Sequence, residues 1–251
     1  MTSGAGLVER ARNLLAAAGR IAVLTGAGIS TESGIPDFRG PNGLWTKNPG
    51  AERMSDLRTY LTDPDVRRRS WQARAAHSAW DAKPNAGHRA LLDLERDGRL
   101  LAILTQNIDR LHQRAGSDPE LVVELHGNMF DTVCMSCADR RPMREALDRV
   151  AAGEPDPPCP RCGGILKSAT ISFGQALDPE VLDRARSAAQ TCDLMLAAGS
   201  SLTVQPAAGL VGLAAAAGAT VVVCNGSETP YDGLAAVVLR EPLGRTLPAL
   251  V

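Results

Sequence analysis

Thr25-Gly26-Ala27-Gly28-Ile29-Ser30-Thr31-Glu32-Ser33-Gly34-Ile35-Pro36-Asp37-Phe38-Arg39-Gly40 follows the apolar run Ile21-Ala22-Val23-Leu24. The run predicts a buried strand bounded by small residues. A strand feeding Gly-Ala-Gly suits a phosphate cradle. Glycines permit positive φ and close backbone approach, and successive N–H groups can then converge on one anion. The spacing is not that of the usual dinucleotide fingerprint: Gly26 and Gly28 give GxG, and the third glycine is missing. By itself such a pair fits a tight turn equally well. Pro36-Asp37-Phe38-Arg39 then sets an acid, an aromatic and a cation side by side, where the chain should pass the mouth of a pocket.

Four more apolar runs behave like the first. They are Leu100–Leu104, Leu121–Leu125, Leu194–Ala198 and Thr220–Cys224, and each ends in polar or small residues: Thr105-Gln106-Asn107-Ile108-Asp109, His126-Gly127, Gly199-Ser200-Ser201 and Asn225-Gly226. Helical patterns intervene at about 86–97, 179–190 and 206–217, with Asn85 as an N-cap and Gly98 as a stop. Near-continuous apolar strands alternating with helices predict a parallel sheet covered on both faces. Polar groups gather at the carboxyl ends of its strands, where open α/β sheets bind ligands. Residues 1–20 carry a helical pattern, with Gly19 as its cap and no signal-peptide core.

The 251 residues fit one large domain carrying a small one, and the net charge of −1 gives no global field for nucleic acid or an acidic membrane. Only three of the 27 basic residues are lysines (Lys47, Lys83, Lys167), which with the many Ala, Gly and Pro suggests a GC-rich bacterial genome. The arginine run Arg67-Arg68-Arg69 reads as a solvated helix face. No apolar run reaches the ~18 residues of a membrane span.

Six cysteines are present, four of them in Cys134-x-x-Cys137 and Cys159-x-x-Cys162, with 21 residues between the pairs. Two such knuckles offer four thiolates to one tetrahedral metal, which suits zinc. The gap slightly exceeds the usual, roughly 15–20 residues, and a short helix over Met143–Ala152 absorbs the excess. A redox CxxC pair is the other reading. Four thiolates fill the coordination sphere, so the zinc is expected to be structural. A disulfide framework does not suit a chain of this size without a secretory signal, so a reducing bacterial cytoplasm is expected. Cys192 and Cys224 are expected as buried core thiols.

His126 follows a buried strand and precedes Gly127, which projects its ring from the carboxyl edge of the sheet. An imidazole near its ordinary pKa of about 6.5 can accept a proton at neutral pH. His77, His88 and His112 fit core or surface positions better.

GAGIS-TESGIPDFRG resembles the NAD-binding opening of the sirtuins, the NAD-dependent protein deacylases. TQNIDRLH (105–112), ELHG (124–127), the four cysteines, GSSLTVQP (199–206) and Cys224-Asn225 match further sirtuin motifs in order, over nearly the whole chain. The resemblance implies a Rossmann-type NAD-binding domain over 1–38, 85–130 and 165–251. It also implies a small domain over 39–84 and 131–164, made of a helical insertion and a zinc ribbon, with a cleft between the two. Carried over residue by residue, it places Gly26, Ala27 and Gly28 against the NAD phosphates, with Arg39 as a nearby cation. Asp37 and Phe38 border the nicotinamide pocket, and Ser30 and Trp45 join the cofactor-binding set. Gln106 and Asn107 contact the nicotinamide ribose and order a water. Ile108 and Asp109 hold the carboxamide. Gly199, Ser200 and Ser201 take phosphate and ribose groups; Asn225, Gly226 and Ser227 take the adenosine side, and Leu243 closes over the adenine. His126, Asn107 and Asp109 form the catalytic set. His126 removes a ribose hydroxyl proton after the acyl-lysine oxygen has displaced nicotinamide, and the acyl group leaves as O-acyl-ADP-ribose.

The sequence departs from the sirtuin pattern in two places. Leu166 to Gln175 sits where many members carry LKPxVVxFGE, with Ser168 for proline and Gln175 for glutamate. Phe173-Gly174 is kept and is expected to pair with the substrate backbone as an added strand, with Val204 also on the substrate side. Desuccinylating members carry Tyr-x-x-Arg in the small-domain helix; the matching positions here are Trp71 and Arg74, which resembles the class II, mitochondrial-type branch. That implies a preference for acyl groups other than acetyl. The expected partner is an acyl-lysine in a protein or peptide, with no membrane, no direct nucleic acid, and the protein acting as a monomer. ADP-ribosyl transfer or NAD hydrolysis on the same scaffold is the second reading. A non-catalytic module sensing NAD or ADP-ribose is the third.

Overall fold

A computed structural model of the chain describes residues 4–38, 40, 43–47 and 49–251. Arg39, expected beside the phosphates, lies outside the described residues. In chain order the strands are β1 (Ile21–Thr25), β2 (Leu100–Thr105), β3 (Val122–Glu124), β4 (Gly127–Cys134), β5 (Arg140–Pro142), β6 (Leu166–Thr170), β7 (Leu194–Ala198), β8 (Thr220–Cys224) and β9 (Val237–Leu239). The chain divides into two compact units. The first comprises the described parts of Met1–Pro36 with Ala82–Leu125 and Asp178–Val251, and the second the described parts of Asp37–Asp81 with His126–Leu177.

The first unit holds a six-stranded sheet in the order β3-β2-β1-β7-β8-β9, parallel throughout. Every residue of β1 and β7 is buried. One core joins Ile21, Val23, Ile103, Leu196 and Val222 to helix residues such as Leu15, Leu91 and Leu247. The helix Ala86–Arg96 starts at Asn85, whose side chain accepts from Gly87 N–H at 2.9 Å, and is closed by a capping box with His88. Gly98 follows at φ +68°. The expected helix at 206–217 is shorter, Gly209–Ala216, and the first helix ends at Ala17, two residues before Gly19. Strand β9 and the helix Leu243–Leu250 add to the expected elements. Chain order reverses at β1, with β2 on one side and β7 on the other, and this is the switch point at which such sheets open a ligand crevice.

The second unit is a three-stranded antiparallel sheet, β5-β4-β6, with the helices Leu57–Thr62, Pro64–Ala75 and Met143–Ala151. Asp56 and Asp63 cap the first two helices through Thr59 N–H and Val66 N–H. Trp71, Met143, Ala146, Leu147, Leu166, Cys134 and Cys159 form its core. The expected boundaries at 130 and 165 therefore fall inside this unit, because β4 and β6 pair from Gly127↔Thr170 to Cys134↔Leu166. The arginine run also differs from its expected solvated face. Arg67 turns inward, and its Nε donates to Asp156 at 2.7 Å.

Candidate active site

The first unit carries the nucleotide-side residues. Gly26 and Gly28 are required by a close approach of two loops. A Cβ on Gly26 would lie 2.7 Å from Gly199 O, and one on Gly28 would lie 2.7 Å from Gly199 Cα. Their amides are already engaged: Gly26 N–H donates to Ala198 O at 3.1 Å and Gly28 N–H to Gly199 O at 2.8 Å. This corrects the expected cradle of converging N–H groups. The glycines bring the β1 and β7 loops together, and Gly26 O is turned toward Asn107. Gly199 sits at φ +71°, where only glycine is unstrained.

Asn107 Nδ2 donates to Gly26 O at 3.1 Å and to Ser30 Oγ at 3.2 Å. With both amide protons used, its Oδ1 is the atom it can offer a ligand. Ser30 Oγ in turn donates to Asp109 Oδ2 at 2.6 Å, while Leu111 N–H donates to Asp109 Oδ1 at 2.9 Å. Burial pushes the Asp109 carboxyl up, and the Ser30 and Leu111 hydrogen bonds pull it back. Gln106 Nε2 donates to Ser200 Oγ at 2.9 Å. The ends of β1, β2 and β7 are thus tied together by Ser30, Gln106, Asn107, Asp109 and Ser200. Ser201 Oγ lies 3.0 Å from Thr203 Oγ1, and Asn225 Nδ2 donates to Ser227 O at 2.9 Å. Ile108 and Val204 are half-buried, whereas Leu243 is buried against the core. Gly226 is exposed at the end of β8, and Ala27 is half-buried.

The second unit carries His126 and the aromatic residues. His126 is half-buried and its carbonyl accepts from Ile171 N–H at 2.8 Å. Gly127 sits at φ +65°, and a Cβ there would lie 2.0 Å from Ala169 O. The residue after His126 must therefore be glycine for β6 to close on β4, a requirement the HG pair signals in the sequence. Asp37 Oδ1 accepts from Gly40 N–H at 3.0 Å. Phe38 and Trp45 pack with ring centroids 4.8 Å apart, and Trp45 and Phe173 at 5.6 Å. Phe38 and Phe173 are exposed. The expected strand addition at Phe173 is corrected in one respect. Its N–H already donates to Ser55 O at 2.8 Å and its carbonyl accepts from Leu57 N–H at 2.9 Å, so the backbone of Phe173 is used within the unit. Gly174, at φ +80°, is the next position along.

Trp71 is 1% exposed and is a core residue, its Nε1 3.4 Å from Asp156. Arg74 is half-buried, with Nη2 3.5 Å from Thr170 Oγ1, and burial of the guanidinium lowers its pKa. Lys167, missed in the sequence, is fully buried in β6; its Nζ donates to Ser168 O at 3.2 Å and to Thr170 O. Burial first, and the Arg74 charge second, lower its pKa to about 7.

The four cysteine sulfurs lie within 4.8 Å of one another, with Cys134 and Cys162 Sγ at 3.5 Å and Cys137 and Cys159 Sγ at 3.8 Å. Tetrahedral zinc with Zn–S bonds of about 2.3 Å needs sulfurs about 3.8 Å apart. The cluster is positioned to bind one zinc ion, and all six cysteines are free of disulfides, with Cys192 and Cys224 buried.

A parallel sheet with a glycine-lined switch point, in one chain with a four-cysteine zinc ribbon, defines a nucleotide-binding α/β protein with structural zinc. The chain belongs to the Sir2 family, whose model matches residues 26–206. It is 53% identical over 231 residues to NAD-dependent protein deacetylase 2 of Streptomyces coelicolor, covering 92% of this chain and 96% of that one. It is 36% identical to NAD-dependent protein deacylase 1 of Archaeoglobus fulgidus, over 97% of this chain and 96% of that one. A solved Sir2 bound to a p53 peptide and NAD is similar with a TM-score of 0.84 and 34% identity, covering 94% of this chain and 93% of that one.

Proposed function

We propose that this chain is an NAD-dependent protein lysine deacylase that releases nicotinamide and O-acyl-ADP-ribose. The observation that carries the reading is the hydrogen-bonded sequence Asn107–Ser30–Asp109 beyond the ends of β1 and β2, half-buried at Asn107 and buried at Ser30 and Asp109. It fixes an amide oxygen and a carboxylate without spending either on an ion pair. In this reading Asn107 orders the nicotinamide ribose and Asp109, with Ile108, holds the carboxamide. Gly26, Ala27, Gly28, Ser30 and Gln106 line the phosphate and ribose side with Gly199, Ser200 and Ser201. Asn225, Gly226, Ser227 and Leu243 border the adenosine. Arg39 is a cation near the phosphates, Asp37, Phe38 and Trp45 border the nicotinamide, and an aromatic cover keeps water from a cationic sugar. His126 takes the ribose hydroxyl proton. The zinc holds the β4–β6 ribbon and takes no part in the chemistry.

The substrate is an acyl-lysine in a peptide or protein, received by Phe173, Gly174 and Val204. Arg74, backed by Trp71, favours acyl groups longer or more acidic than acetyl; its support is a guanidinium with no carboxylate within ion-pair distance among the described residues. The reading also takes the protein to act as a monomer in the cytoplasm. No helix among the described residues is long and apolar enough to cross a membrane. Incubation with NAD and lysine peptides bearing different acyl chains, read by mass spectrometry, tests the assignment. Arg74→Met should flatten the preference between acidic and short neutral chains, and an unchanged ranking would remove Arg74 from specificity. Labelled ADP-ribose on protein, without deacylated peptide, would favour the transferase reading.

A further inference from the structure

A line of buried polar side chains beneath the ends of β1 and β2 has no role in the scheme above. Thr105 Oγ1 accepts the backbone N–H of Asn107 at 3.0 Å and the hydroxyl proton of Thr25 at 2.9 Å. Having given that proton away, Thr25 Oγ1 can only accept in its 3.0 Å contact with His112 Nε2. That makes His112 the Nε2–H tautomer, with a bare lone pair on Nδ1. His88 is set the other way. Its Nδ1 accepts the Asn85 N–H at 3.3 Å in the capping box, so its proton sits on Nε2.

His88 Nε2 and His112 Nδ1 are both buried and have no partner among the described residues. The two rings are 5.0 Å apart, centroid to centroid, and the residues are 0% and 1% exposed. One atom is a donor and the other an acceptor, so the two are complementary across the packed rings. Burial keeps the pair neutral: it lowers His88 to about 4, helped by Arg89, and His112 well below its ordinary value, helped by His88. The donors therefore run in one sense from His112 through Thr25 to Thr105, whose Oγ1 also receives the N–H of Asn107 from the other side.

We propose that His112 and Thr25 are positioning residues for Asn107, holding its backbone amide through Thr105 so that its side chain meets the nicotinamide ribose, while His88 fixes the orientation of His112. This rests on the reading of Asn107 given above. Neither histidine touches a reacting atom; both act through the asparagine.

The test is a double-mutant cycle on the full chain. Thr25→Val, His112→Leu and His112→Gln are each made alone and with Asn107→Ala. The readouts are kcat and KM for NAD with an acyl-lysine peptide, NAD affinity by calorimetry, and the unfolding midpoint. Thr25→Val and His112→Leu should lower kcat/KM for NAD about tenfold alone and less than about twofold with Asn107→Ala, since a residue acting through Asn107 has nothing left to act on. His112→Gln keeps an N–H near the Nε2 position and should recover most of the loss. Thr25→Val preserves shape, so the cycle stands even where His112→Leu does not fold, and calorimetry closes it where turnover is too slow. Equal losses in both backgrounds, or a Thr25→Val enzyme with ordinary kinetics, would overturn the proposal. Ordinary kinetics for Asn107→Ala alone would instead overturn the reading of Asn107.

Discussion

Strands β1 and β6 are both buried from end to end, and they are built from different chemistry. β1 is Ile-Ala-Val-Leu-Thr between two parallel neighbours. β6 is Leu-Lys-Ser-Ala-Thr at the edge of a three-stranded sheet, and buries an ammonium and two hydroxyls. The first unit has a large apolar core, with buried polar groups gathered at its strand ends. The second has a small core in which two of seven members are zinc-cluster cysteines, so it leans on the metal and on hydrogen bonds.

Removing the metal should break the comparison open most widely. Zinc bound by four thiolates is worth on the order of 10 kcal/mol in small folds. A chelator, or Cys134→Ser, should release the amides of β4, β5 and β6 to hydrogen exchange while β1, β2, β7 and β8 stay protected. Loss of protection in both sheets together would show that the units do not differ in this way.

The units should also part company with pH. Lys167 is lowered from 10.5 to about 7, so above pH 7 the unfolded chain binds the extra proton. The second unit should therefore gain stability as pH rises from about 7 toward 10.5, by about 5 kcal/mol at most, and Lys167→Met should flatten that slope. In acid the units respond alike. His88 in the first and His77 in the second are each lowered from 6.5 to about 4, so both units lose stability as pH falls through that window. Urea melts followed by exchange in each sheet separate the alkaline slope from the shared acid one.

Gly127→Ala should cost about 3 kcal/mol, from positive φ and the clash with Ala169 O. It should also displace His126 and abolish turnover; full activity would show that the β4–β6 junction does not place the imidazole. Ser30→Ala, the smallest of these effects, removes the link between Asn107 and Asp109. It should cost about 1–2 kcal/mol of stability and lower kcat for nicotinamide release more than it raises the KM for the peptide.

The sequence is most informative where side-chain period and buried structure coincide. Apolar runs placed five of the six parallel strands, and β9 escaped because Val237–Leu239 is too short to stand out from its loop. The cysteine spacing carried the metal site, since four thiolates at that separation have few other uses. The polar work of the second unit was hidden: nothing in Leu166–Thr170 signals that Lys167 turns inward, because the carbonyls that receive it belong to β6 itself. The Gly-Ala-Gly stretch was legible as glycine-dependent, but its partner is the Gly199 loop, which only the parallel pairing of β1 with β7 brings alongside. His112 read as a plain core histidine for a similar reason: Thr25 lies 87 residues away.

The most direct measurement is the stoichiometry of a single reaction with NAD and an acyl-lysine peptide, followed by mass spectrometry. The account predicts equal amounts of nicotinamide, deacylated peptide and O-acyl-ADP-ribose, with the deacylated peptide and O-acyl-ADP-ribose lost in His126→Tyr, since His126 acts after nicotinamide has left. Nicotinamide and free ADP-ribose forming with the peptide still acylated would contradict it.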